Sequence, residues 1–598
     1  MEYSGVQSRD ECLLGLQKDY AGEFKTWESL TGMKQDALMI QMKDVDWAAD
    51  IYKRIFENNA ARGEDPIVAV PVAGWEVKRE SRWYNFILGF FCEKVRRKRE
   101  LEEYAKSCST SPIPTGIHAD VILQIAPEGQ YQYYFWDKDY GHCLKVSPGV
   151  RVADLDDYLE EMDLAMPHQM STLDICSLIG MFMTGCYGPA LNLGPASDKI
   201  ILEYEVVAPT GEVMFLSLND NPELFSVLKD CMLGVCFVKS VTIKGLIHKQ
   251  ALERRDILFK GVDKFSRAMR KTHFIAQNEH FMAMYIPVEG VANIRVTVFN
   301  PASEGEEPEE GFLPRDFWEY VNLMKTEAGE PIISAVVRTP DLHPLYDLVM
   351  KAAALDTFGV EAEERRIVPS RGLHIFETYT DADTRIKVIN WLIQVNGPRD
   401  AEKLNRGLFR LTKGVIKQLK SERHYAVILN AFARYNAGLF FAKGKGGIAP
   451  LAKSQKKGGI LAFEYVTYGP LFKSEGFQIL VNETIEYLRA ADKKFTYHPG
   501  KDLPDGVVSL AQILTDKNGK RRLKNYQKAV SQLHEGRKNI EISPILTDLK
   551  KRFIFGEEEV DVVEEVPEEA PCACSEKEKK KVKKNLKKIA RQRELSFV

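Results

Sequence analysis

The sequence predicts an α+β protein with more than one domain, and three observations carry that reading. At 598 residues the chain is longer than one hydrophobic core ordinarily serves. From Lys145 to Ile243, β-patterned runs and helical runs alternate around a glycine-bearing segment. From 246 to about 480, apolar strand runs recur with helical runs between them. A hydrophobic fraction of 44% with 28% charged residues is that of a soluble globular chain. A net charge of -3 gives no global pull towards nucleic acid or a membrane surface. There is no apolar run long enough for an integral membrane segment, and MEYSGVQSRDE lacks a basic stretch followed by an apolar one, so a cytoplasmic protein is the expectation. The ten cysteines are scattered and suit reduced core thiols. The one close pair, Cys572 and Cys574, has no further Cys or His beside it to complete a zinc site.

Residues 1–64 are charged and read as a helical N-terminal extension, with Trp27, Leu30 and Met33, then Trp47, Ile51 and Ile55, at helical spacings. After Pro66 the run IVAVPVAGWEV alternates as a strand does, and EKVRRKRELEEYAKSC reads as a helix. Strand Asp120 to Ile125, a hairpin from Gln130 to Trp136 and a strand from Cys143 to Val146 follow. Val152, Leu155, Leu159 and Met162 then mark a helix. The glycine-bearing segment runs from Ser177 to Gly188. Two strands, Ile200 to Ala208 and Glu212 to Leu218, flank the turn Pro209-Thr210-Gly211. Asn221-Pro222 opens a helix leading to a strand from Val238 to Ile243.

This series resembles the second half of the FAD-binding domain of the vanillyl-alcohol oxidase superfamily, the PCMH-type fold, over about a hundred residues. The resemblance rests on Ser177, Gly180 and Thr184-Gly185-Cys186-Tyr187-Gly188, on Ser197-Asp198-Lys199-Ile200, on the turn Thr210-Gly211 and on Asn221-Pro222-Glu223-Leu224-Phe225. It implies a two-subdomain FAD-binding fold over 65–245 and an antiparallel-sheet cap, or substrate, domain over 246–480. Residues 481–556 would then return to the flavin domain. Glycine in such a segment lets the main chain approach a flat dinucleotide closely; relief of crowding between helix and sheet is the plainer reading. As implied cofactor contacts we name Ser177, Gly180, Thr184, Gly185, Cys186, Tyr187, Gly188, Ser197, Asp198 and Val238. Tyr187 stands where the family commonly has His, and Cys236 where a glycine is usual. The family's pyrophosphate loop has only a degenerate counterpart in Ser107–His118, where Pro112 and Pro114 remove main-chain donors. His118 there reads as a surface histidine rather than a covalent flavin anchor.

In the second half, MAMYIPV, NIRVTVFN, ISAVVRT, GLHIFETYT and GILAFEYVTY read as strands, HPLYDLVMKAAAL and RIKVINWLIQ as helices. PASEGEEPEEG is an acidic loop, and the glycine-rich loop AKGKGGIAPLAKSQKKGG lacks phosphate-binding P-loop spacing. Phe495-Thr496-Tyr497-His498-Pro499-Gly500-Lys501 resembles the "HWGK" segment of aldonolactone and alditol oxidases, where His and Lys reach the substrate side of the flavin. The resemblance makes His498 the candidate base and Lys501 its electrostatic partner; a surface turn is the alternative. From Glu557 an acidic block and then a basic one form a charged tail that reads as disordered. Two functions follow: an FAD-dependent oxidoreductase acting on a hydroxyl carbon of a small polyol, sugar or sugar lactone, or a scaffold that keeps the fold without flavin chemistry. A small-molecule substrate is expected, no nucleic acid, and a protein partner is conceivable through the N-terminal extension or the tail.

Overall fold

The computed structural model describes residues 8–28, 34–63, 65–72, 119–166, 177–186, 200–229, 234–309, 351, 354, 363–369, 386–421, 430–436, 458–468, 472–498, 501–504, 506–514 and 517–556. All of these fall in one compact unit, Met1–Gly556. The tail from Glu557, the pyrophosphate-loop candidate Ser107–His118, the strands expected in ISAVVRT and GLHIFETYT and the glycine-rich basic loop lie outside the described residues.

The N-terminal residues do not form the helical extension expected over 1–64. Helix α1 (Arg9–Asp19) opens on a Ser8–Glu11 capping box, but strands β1 (Glu23–Glu28) and β2 (Lys34–Met42) follow before α2 (Trp47–Arg62). With β3 (Ala69–Val72) and β4 (Val121–Ile125) they make a sheet of order β1-β2-β4-β3, in which β2 and β3 run parallel to β4. The misreading has a physical cause. A parallel strand is buried on both faces and shows no clean alternation. Leu38, Ile40 and Met42 pack under Ile51, Tyr52 and Ile55 of α2, while Ala37 and Met39 pack with Val70 and Ile122 on the other side. The unit β2-α2-β3 sends the carboxyl ends of three parallel strands to one edge, where open α/β sheets hold ligands. Strand β3 ends at that edge with Val72, whereas β4 begins at the opposite edge with Val121.

The next elements follow the sequence expectation closely. Strands β5 (Gln132–Asp137), β6 (Gly141–Val146), β8 (Ile201–Val207), β9 (Val213–Ser217) and β10 (Phe237–Lys244) form an antiparallel sheet of order β5-β6-β10-β8-β9. Between them lie α3 (Val152–Glu160), α4 (Leu178–Thr184) and α5 (Pro222–Leu228). Strand β7 (Leu164–Ala165) pairs with β11 (Ile247–His248). One sheet face buries Leu144, Val146, Tyr204, Val206, Leu216 and Val241 against Leu155, Leu159, Phe182 and Phe225. The other meets α2: the Tyr52 and Phe237 rings lie 6.2 Å apart, and Lys239 bridges Asp46 at 2.5 Å and Glu205 at 2.6 Å. Gly211, at φ 88°, has Ala49 O and Lys53 where a Cβ would stand, so this turn tolerates only glycine.

The third sheet has eight strands: β12 (Ala251–Phe259), β13 (His280–Tyr285), β14 (Ile294–Pro301), β15 (Glu363–Pro369), β16 (Ile386–Val395), β17 (Asn430–Asn436), β18 (Gly459–Tyr468) and β19 (Phe495–Tyr497), in the order β15-β12-β14-β13-β17-β18-β16-β19. Every pairing within it is antiparallel. RIKVINWLIQ, read as a helix, is strand β16. A short apolar run fits both periods, and here Ile389, Trp391 and Ile393 share one face while Asn390 stands on the other. Helices α6 (Val262–Thr272), α7 (Pro398–Ser421) and α8 (Glu475–Ala490) bury Phe265, Leu404, Leu408, Phe409, Phe477 and Leu480 in the core that contains Trp391, Phe463 and Tyr465. Tyr465 Oη joins the sheet to two of these helices, 2.7 Å from Thr412 Oγ1 and 3.1 Å from Thr484 Oγ1.

After α9 (Lys517–Leu533) the chain returns to the first sheet and ends its described part in α10 (Asp548–Phe555). Ala69 N donates to Pro544 O at 2.6 Å, Asn59 Nδ2 donates to Ile542 O at 3.0 Å, and Ile545 sits in the core under α2.

Candidate functional site

Helix α4 is short and closed at both ends by its own residues. The Ser177 hydroxyl accepts from Gly180 N at 3.2 Å, and Leu178 N donates to Val150 O at 3.1 Å. At the far end Gly185, at φ 70°, takes the left-handed conformation, with Gly185 N donating to Phe182 O and Cys186 N to Met181 O. This pair of bonds is a Schellman cap, which glycine closes without steric cost. Thr184 Oγ1 donates back to Gly180 O at 3.0 Å. The two hydroxyls of the segment therefore serve the helix. At Gly180 an added Cβ would stand 2.7 Å from Ser177 Oγ, so glycine leaves room there for the helix's own cap, in line with the plainer reading of crowding relieved. Val238 lies buried in β10, and Cys186 is half-buried 3.4 Å from Thr184 Oγ1. Tyr187, Gly188, Ser197 and Asp198 lie outside the described residues.

His498 is not at an exposed turn. It is 3% exposed, and its Nε2 lies 3.1 Å from Gly185 O, across 313 residues of sequence. A carbonyl oxygen only accepts, so Nε2 carries the hydrogen and the ring is the Nε2–H tautomer. Burial, helped by the charges of Lys501 and Arg434, pulls the imidazole pKa down to about 3. The loop from 498 to 502 is fastened to β16 at both ends. His498 N donates to Asn390 O at 3.0 Å and Asp502 N to Val388 O at 3.0 Å. The Asp502 carboxylate accepts from Val388 N and from Lys387 Nζ, each at 2.8 Å. Burial pushes the Asp502 carboxyl up, and Lys387 opposes that shift. Lys501, half-buried on this loop, comes with His498 to the same edge of the sheet.

Beside them lies a charged row that sequence reasoning missed. On the sheet face opposite the helices, Glu464 stands across from Asn390 and accepts from its Nδ2 at 3.1 Å. Arg434, on the neighbouring strand, pairs with Glu464 at 2.5 Å, both side chains 9% exposed. Further along, Asp256 accepts from Arg254 Nε at 2.8 Å and from Thr297 Oγ1, with Arg295 at 3.7 Å. Burial alone would raise the Asp256 carboxyl, but the two guanidinium groups outweigh it and hold the group below the usual range. Lone charges inside apolar strands, as in NAFARYN and ILAFEYVTY, were the available signal, because such residues are seldom buried without a task or a partner. Among the described residues no group of three or more His, Cys, Asp or Glu could hold a metal ion.

Residues 129–217 match the family model described as an FAD binding domain. The mitochondrial L-galactono-1,4-lactone dehydrogenase of Brassica oleracea is 26% identical over 163 residues, 27% of this chain and 26% of that protein. L-galactono-1,4-lactone dehydrogenase 1 of Oryza sativa subsp. japonica, also mitochondrial, is 25% identical over 191 residues, 31% of each chain. The matches thus span between a quarter and a third of these curated relatives. Among solved structures, cholesterol oxidase from B. sterolicum aligns with a TM-score of 0.64 at 12% identity, covering 90% of this chain and 98% of that one. Chitooligosaccharide oxidase aligns at 0.53 and 12%, covering 89% and 98%. These likenesses show the fold.

A parallel-sheet subdomain, an antiparallel one beside it, and a large sheet from whose edge His498 touches the glycine turn at Gly185 make up the fold of PCMH-type flavoenzymes. Residues 129–217 match an FAD binding domain, and FAD is the cofactor that this domain implies. Among the described residues no helix is long and apolar enough to cross a membrane.

Proposed function

We propose that this protein is an FAD-dependent oxidoreductase that oxidises a hydroxyl carbon of a small polyol, sugar or sugar lactone by hydride transfer to flavin N5. The observation that carries the reading is the bond from His498 to Gly185, which brings the buried Arg434–Glu464–Asn390 row and the cofactor turn to one place. Bound FAD would supply the hydride acceptor. Main-chain atoms from Ser177 to Cys186, with Val238 behind them, would hold it. Lys501 would place a positive charge beside the ring system, where negative charge develops on reduction. Arg434, Glu464 and Asn390 offer a donor, a carboxylate and an amide in fixed positions, the set that orients a polyhydroxylated ligand. The curated relatives that match are lactone dehydrogenases and one structural neighbour is an oligosaccharide oxidase, in keeping with this substrate class. The scaffold reading is not favoured, since the cofactor turn and the charged row are both built.

The test is an absorption spectrum of the purified protein, as isolated and after addition of FAD, followed by anaerobic mixing with polyols, sugars and L-galactono-1,4-lactone. Flavin bands that bleach with one of these compounds support the reading. A protein that takes up no FAD, or whose flavin none of them bleaches, overturns it.

A further inference from the structure

His498 links two pieces of the molecule. On one side Gly185 ends a seven-residue helix with its cap complete. On the other, the loop from 498 to 502 is fastened to β16 by His498 N, by Asp502 N and by the Asp502 carboxylate. Among the described residues, a side-chain bond joins them, from Nε2 to the Gly185 carbonyl at 3.1 Å. The ring that makes it is almost wholly enclosed.

We propose that His498 is a positioning residue, whose Nε2–H bond to Gly185 fixes the cofactor turn against the charged face of the large sheet. This deepens the flavoprotein reading and rests on it. Gly185 is the left-handed residue of the turn, so its carbonyl direction and the course of the chain into Cys186 are set together. Loss of the bond takes this donor from a half-buried carbonyl, roughly a tenfold effect on whatever depends on the turn.

The experiment compares the full-length protein with His498→Gln, whose amide nitrogen can stand where Nε2 does, and with His498→Leu, which fills the space without a donor. FAD affinity is read by quenching of flavin fluorescence on titration into apoprotein, and hydrogen exchange over Ser177–Cys186 is read in FAD-free protein. The expected result is that the Leu variant binds FAD about tenfold more weakly or worse and exchanges the Gly185 and Cys186 amides correspondingly faster, while the Gln variant stays within about threefold of wild type in both. If the Leu variant does not fold, His498→Asn, too short to reach Gly185 but still polar, takes its place with the same expectation. Unchanged affinity and exchange in the Leu or Asn variant would overturn the proposal, as would a Gln variant as impaired as the Leu one. A wild-type protein that binds no FAD would sink the flavoprotein reading instead, and the exchange contrast would still decide whether the strut exists.

Discussion

The two faces of the eight-stranded sheet are made by the same strands and obey opposite rules. Towards the helices, Trp391, Phe463, Tyr465, Ala433 and Phe281 pack with α6, α7 and α8, and the polar bridge Thr412–Tyr465–Thr484 is internally satisfied. On the opposite face Asn390, Glu464, Arg434, Thr297, Asp256 and Arg254 are buried almost as deeply, set among Met282, Met284, Leu392 and Phe299. Apolar burial holds the first face together whatever the details, at about 25 cal/mol per Å². The second face costs desolvation that its ion pairs only partly offset.

Breaking the charged face on one side should have the largest effect. Arg434→Leu leaves Glu464 buried without its cation, and urea denaturation should show a loss of about 3–5 kcal/mol. The double variant Arg434→Leu, Glu464→Leu should recover most of that stability while flavin reduction by substrate stays abolished. If the double variant kept turnover, the row would be structural only. Trp391→Ala on the apolar face should cost about 3–5 kcal/mol as a cavity, with FAD affinity preserved in the folded fraction.

Lys550 tests the comparison away from both faces. It is fully enclosed with one carbonyl contact, Ile545 O at 3.3 Å, and burial pulls its amine pKa down to about 7. The unfolded chain, with an ordinary lysine pKa of about 10.4, binds more protons between those values, so stability should rise as pH goes from about 7 to about 10. Lys550→Met should raise the melting temperature at pH 7 and flatten that slope. A smaller effect of the same sign comes from His280 and His534, whose imidazoles burial holds down to about 4. Their unfolded forms take up protons first, so stability is lost as pH falls from about 6.5 towards about 4, and His534→Gln should lessen the loss. The smallest change is expected at Trp136, 64% exposed on edge strand β5, where Ser should alter stability by no more than about 0.5 kcal/mol.

Local patterns in the chain determined the glycine-bearing segment from Ser177, though not its helix and caps, the turn at Gly211, the helix from Pro222 and the alternation of β14 and β18. Each depends on backbone preferences within a few residues, which a sequence displays directly. Those same patterns carried the resemblance that the match of residues 129–217 to an FAD binding domain bears out. Strand β2 and strand β16 were not legible, the first because burial on both faces erases alternation, the second because INWLIQV satisfies either period until neighbours supply its ladder bonds. The charged row was hidden for a further reason. Arg434, Glu464 and Asn390 lie on three strands, and only the register of β17, β18 and β16 makes them neighbours. His498 and Gly185, 313 residues apart, meet only once the large sheet has closed on the flavin domain. Contacts of that range are decided by the folded chain as a whole, because no local preference encodes the partner at the far end.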